Sequence, residues 1–242
     1  MHTSHFWHFF GLHRHQVIVL CLLLFPLLAM AQKNMPNHDN KRLHFGISLG
    51  FNSSKFAITH SADFTYHDTI KVVDAPRATG FNVGIISDLH LNRHMELRFI
   101  PSLIFAEKNL RYTLNTGDQD FINQKTIESI ILGFPLALKY KSDRFFDNFR
   151  FYGLLGGRFD WDLGSNSKAR RAFDIVKINN IDASVEYGVG LEFYFPLFIF
   201  SPEIKFSSGI PNLHVPTEGL NFSNVLGKLR SRGVFLTLQF EG

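Results

Sequence analysis

The residues able to do chemistry are charged groups set at every second position of apolar segments. They are Asp88, Glu96, Arg98, Lys139, Arg158, Asp160, Asp182, Glu186, Glu192, Glu203 and Lys205. A pair of carboxylates such as Glu186 and Glu192 could serve as general acid and base. Both signs are present, however, and charges taken out of water need partners. The reading adopted is a mutually neutralising, structural network facing a common interior. The histidines offer a second chemistry. His60 and His67 share a segment with Asp63 and Asp68, and His90 and His94 flank a short turn where they could meet. Neither group has the spacing of a metal motif, so neither is assigned a metal or catalytic role. Lys168, Arg170 and Arg171 form a small basic cluster, either a solvated one or a contact for lipopolysaccharide phosphates. The only cysteine is Cys21.

The elements that carry these groups are β-strands. From Ile181 to Phe195 the residues alternate, with Ile181, Ala183, Val185, Tyr187, Val189, Leu191 and Phe193 on one face. Asp182, Ser184, Glu186, Gly188, Gly190, Glu192 and Tyr194 lie on the other. Period two over about fifteen residues is a strand longer than soluble sheets use, and long enough to cross a bilayer. After a corner at Phe195-Pro196-Leu197 a second strand follows, with Glu203 and Lys205 on its polar face. The same pattern predicts strands over 43–53, 78–90, 94–106, 125–141, 149–161 and 228–241, with a bulge at Pro135 because proline removes a ladder donor. Polar connections at 54–77, 107–124, 163–180 and 209–227 are long; those between them are short. Eight strands with that rhythm predict an all-β, eight-stranded antiparallel transmembrane β-barrel of the outer-membrane type. Short turns and both termini are then periplasmic.

Met1 to Ala31 reads as a signal peptide, with Arg14 ahead of the apolar run 17–28 and Ala29-Met30-Ala31 as the cleavage pattern. Cleavage between Ala31 and Gln32 leaves a periplasmic lead-in over 32–42 and a barrel over 43–242. It also removes Cys21, which excludes disulfides and thiolate sites from the mature chain. Twenty-seven phenylalanines against two tryptophans and six tyrosines suit a lipid-facing wall. The formal charge of +4, less Arg14, leaves +3 in dispersed residues, which is no nucleic-acid footprint. No cofactor is implied.

Ser129 to Tyr140, reading Ser-Ile-Ile-Leu-Gly-Phe-Pro-Leu-Ala-Leu-Lys-Tyr, resembles the Pro-Leu-x-Leu-Lys-Tyr strand of the OmpA-like small-barrel superfamily that contains the PorT family. Tyr152 to Gly157, Tyr187 to Glu192 and Pro202 to Asn212 are similar to that group as well. The ending from Leu229 to Glu241, with Arg230-Ser231-Arg232, points to the PorT family itself. The resemblance spans essentially the whole chain after Ala31. It implies a non-enzymatic outer-membrane component of the type IX secretion system, associated with gliding in relatives. Its partners would be outer-membrane lipid, lipopolysaccharide and other secretion-system proteins. The family brings no catalytic residues. Two rivals stand beside it: a structural or adhesive barrel, and a lipid-modifying or protease barrel enzyme.

Overall fold

The computed structural model describes residues 33–61, 70–115, 120–164, 178–215 and 226–242. The signal, its cleavage point at Ala31 and Gln32, the group Asp63, His67 and Asp68, and the cluster Lys168, Arg170 and Arg171 lie outside the described residues.

Alternation becomes architecture in the first strand. Phe51 is 73% exposed and its neighbour Asn52 3%, because successive side chains of a strand point to opposite faces. The described strands are β1 (Leu43–His60), β2 (Ile70–Asp74), β3 (Ala78–Asn92), β4 (Met95–Phe99) and β5 (Ser102–Asn115). They continue with β6 (Asp120–Lys141), β7 (Phe149–Asp162), β8 (Ile181–Tyr194), β9 (Ile199–Gly209) and β10 (Leu226–Glu241). All pairings are antiparallel. From β10 the order runs through β9, β8 and β7 to β6, which pairs with both β4 and β5. Those two pair with β3. β1 pairs with β10 on one side and β3 on the other, so the sheet comes round as a ring.

Ten segments make eight staves. β4 and β5 are halves of one predicted strand, and β2 continues the line of β3 along β5. The break between β4 and β5 falls at Ile100-Pro101 and has a chemical cause. Pro101 accepts a bond from the Ile85 N–H (3.1 Å) and Pro135 one from the Ile100 N–H (3.4 Å), but neither proline can return it. The bulge expected at Pro135 is absent. Gly133 faces Ser102 and Leu136 faces Phe99, three residues on each side, so the register passes the proline unshifted.

The strands also outrun their predicted ends. β1 continues to His60, β5 to Asn115, and β6 begins at Asp120. Much of the polar sequence at 54–77 and 107–124 is therefore strand rather than loop. At this long-loop end the extended staves turn apolar side chains inward. Phe56, Leu110, Tyr112 and Leu229 cluster there with Ile178 and Leu213 from the connections.

Candidate functional site

The interior is polar because each stave gives one face to it, and buried charges fill that face. Asp88 comes from β3, Glu96 and Arg98 from β4, Lys139 and Lys141 from β6, Glu192 from β8, Glu203 from β9 and Glu241 from β10. Arg98 is the hub. Its Nε lies 3.0 and 2.9 Å from the Asp88 carboxylate oxygens, and its Nη2 is 2.5 Å from Asp88 Oδ2 and from Glu241 Oε1. Nη1 is 3.2 Å from Glu203 Oε2 and also donates to Gln239. A planar fork of five donors suits such a site, where an ammonium would satisfy fewer acceptors in fixed directions.

Lys139 sits beside that hub. Its Nζ contacts Glu192, stands 3.4 Å from Glu96 Oε2, and lies 4.4 Å from the centre of the Tyr152 ring. Lys141 holds the other oxygen of Glu96. The Tyr152 and Tyr194 hydroxyls donate to Glu203 and Glu192, each at 2.7 Å. Lys205 is 3.5 Å from Glu203. Nearer the long-loop end a second group forms: Arg158 binds Asp160 at 2.8 Å and Glu186 at 2.7 Å. Asp182 accepts from Ser231 there.

The eleven charged residues expected from the sequence to face the interior all turn into the ring. Glu186 and Glu192 do not form a pair, since one answers to Arg158 and the other to Lys139 and Tyr194. His90 and His94 do not face each other either. His90 Nδ1 is 3.0 Å from Glu96 Oε1, whereas His94 Nε2 is 3.3 Å from the exposed Asp143. Lys141, Arg150 and Glu241 belong to the network although the sequence reading omitted them. Lys141 and Arg150 were recoverable by parity, lying two residues from Lys139 and eight from Arg158 on the same strands.

Both ends of the lumen are filled. At the long-loop end the apolar cluster stands above the second charged group, and the cavity among Lys108, Arg158, Asp182 and Phe235 measures about 30 Å³, space for one or two waters. At the short-turn end the segment expected as a lead-in folds into the mouth. Its 3₁₀ turn, His38–Asn40, places His38 flat against His44 with ring centres 3.7 Å apart. Asp39 Oδ2 is 3.2 Å from Arg144 Nη2 and 2.9 Å from Arg150 Nη2. The Asn34 side chain donates to the Tyr194 carbonyl at 2.8 Å, and Arg144 lies over the Tyr194 ring. Burial pushes the Asp39 carboxyl up, but the His38 ring and the Arg150 and Arg144 guanidiniums outweigh it and hold the group well below the usual carboxylate range.

The rim at this end mixes exposed charges, such as Arg93 and Asp143, with exposed apolar side chains. Phe146 is 94% exposed and Leu197 86%. Phe146 and Asp147 adopt φ of 46° and 60°, the left-handed region that side-chain-bearing residues seldom occupy. The turn is held by the Phe145 pairing with Phe149 and by an Asn148 N–H to Phe146 carbonyl bond of 2.7 Å.

An antiparallel ring with an apolar outer face and a charged inner one defines an outer-membrane β-barrel. The chain belongs to the outer membrane protein beta-barrel domain family, whose pattern matches residues 30–215. No curated protein matches its sequence. Among solved structures it is similar to the outer membrane protein OprG of Pseudomonas aeruginosa, with 14% identity over 84% of this chain and 97% of that one, TM-score 0.46. It is also similar to Ail, the attachment invasion locus protein of Yersinia pestis, at 14% identity over 84% and 100% of the two chains, TM-score 0.37. A third is the N-terminal β-barrel domain of Pseudomonas aeruginosa OprF, at 12% identity over 83% and 100%, TM-score 0.35.

Proposed function

We propose that this barrel is a non-enzymatic component of the type IX secretion system in the outer membrane of a Gram-negative bacterium. It acts through partner contacts in the export of proteins bearing C-terminal sorting signals. The observation that carries the reading is the stopped lumen: salt bridges fill its middle, an apolar cluster one end and the Asp39 clamp the other. A bore in that state conducts no polypeptide, so work in export falls to the outer surfaces. The motif resemblance at 129–140, 202–212 and 229–241 supplies the system; the lumen supplies the manner of working.

In this reading the short turns and both termini face the periplasm. The described chain start and Gly242 both lie at the end bearing Phe146 and Leu197; the Gly242 N–H bonds the Phe45 carbonyl at 3.1 Å. Phe145 and Phe146 serve either as interfacial anchors or as part of a partner face. Deletion of the gene tests the proposal. Cargo with C-terminal signals should accumulate in the periplasm while the outer membrane stays intact. Normal export in the deletion strain refutes the secretion role and leaves a structural or adhesive barrel.

A further inference from the structure

One cluster of donor atoms lies just inside the short-turn mouth, beneath the His38 plug. His44 from β1, His90 from β3 and Glu96 from β4 each offer one ligand atom, and the three atoms lie within 4.8 Å of one another. His44 is 1% exposed, and among the described residues neither of its ring nitrogens has a hydrogen-bond partner. A buried imidazole normally satisfies at least one nitrogen, so this side chain is held in place without the bond that would justify its polarity. Its ring meets His90 edge-on at 6.2 Å between centres, and His38 covers its other face.

We propose that His44, His90 and Glu96 form a binding site for a divalent transition-metal ion of the Zn²⁺ type. Two imidazoles and a carboxylate are a recurrent donor set for zinc, with bonds of about 2.0–2.2 Å and a fourth position left for water. Imidazole donors disfavour Ca²⁺ and Mg²⁺, which seek oxygen. Side-chain rotation of roughly 1 Å brings three such atoms onto one ion, with no strand required to move. Around the cluster Arg98, Lys139, Lys141, Arg144, Arg150 and Lys205 face Asp39, Asp88, Glu96, Glu192, Glu203 and Glu241, six cations against six carboxylates, so a bound ion must displace one of those cations. Lys141 already seats a cationic group on Glu96 Oε1, and coordination exchanges that ammonium for the ion. The bound ion would cross-link β1, under the His38 plug, to β3 and β4, strands already paired side by side, and so stiffen the wall at the mouth. This proposal is independent of the secretion role.

The test is titration of the purified, folded full chain, made without a polyhistidine tag, with Zn²⁺ by calorimetry and Co²⁺ by visible absorption. His44→Gln and His90→Gln are measured beside His94→Gln, which alters a half-buried histidine outside the cluster. The wild type and His94→Gln should bind one more ion than the other two, with a Co²⁺ spectrum of low-coordinate intensity. Any residual binding at this site in His44→Gln or His90→Gln should be at least about 10-fold weaker. Far-ultraviolet dichroism and heat-modifiable mobility check that each variant is folded; if His44→Gln is not, His90→Gln alone decides. Equal binding by His90→Gln and wild type, or no binding by the wild type, overturns the proposal.

Discussion

Tyr152 stands directly opposite Gly190 across the β7–β8 ladder, and its phenol ring fills the space that a Cβ on Gly190 would occupy. The glycine is what lets the ring lie flat beneath Lys139 and Arg98 while its hydroxyl reaches Glu203. Gly190→Ala should therefore force the ring off three partners at once, at a cost of about 1–3 kcal/mol. Urea unfolding of the barrel in detergent or lipid, compared with wild type, measures it. An unchanged midpoint would mean that the ring has room elsewhere.

The Arg158 group makes a different demand. Glu186→Gln keeps the shape of the side chain but removes one of the two carboxylates that Arg158 contacts. Loss of about 1–3 kcal/mol of stability is expected, with no accompanying loss of a chemical activity. A variant as stable as wild type would show that Arg158 needs only Asp160.

The clamp at the short-turn end should respond to pH with a defined sign. The Asp39 carboxyl is depressed in the folded protein, so its contribution is complete above the unfolded value of about 3.9 and is lost as pH falls below it. The segment 33–42 should resist proteolysis from neutral pH down to about 4 and become cleavable only in stronger acid. Asp39→Asn should make it cleavable at neutral pH. Equal protection in Asp39→Asn would show that the Asn34 and Arg144 contacts suffice.

Topology is testable by tagging. An epitope at Gly117 or within 165–170, both outside the described residues, should be reached on intact cells. One at Asn92 should be reached only after permeabilisation. The reverse pattern would invert the barrel.

Much of this was legible because the lumen and the lipid impose opposite demands on neighbouring residues. Phe51 and Asn52, or Tyr187 and Glu186, announce their faces without any knowledge of partners. What escaped the sequence was set by contacts between distant residues. Asp39 meets arginines more than a hundred positions away, so the lead-in looked merely polar. The 54–60 stretch pairs with β10 and is strand despite its polar composition. Pro135 was read correctly as a lost donor, but its consequence is a gap in one ladder rather than an extra residue. Pro202 behaves alike: the β8–β9 pairing resumes on either side of it in unshifted register.

The lumen is stopped along its length, and the proposed surface role depends on that property. Reconstitution of the purified wild-type protein into planar bilayers, with current recorded across a range of voltages, tests it most directly. Insertion without resolved conductance steps is expected, since eight staves leave little free bore and the salt bridges fill it. Stable, large single-channel currents that survive in wild-type protein would contradict it.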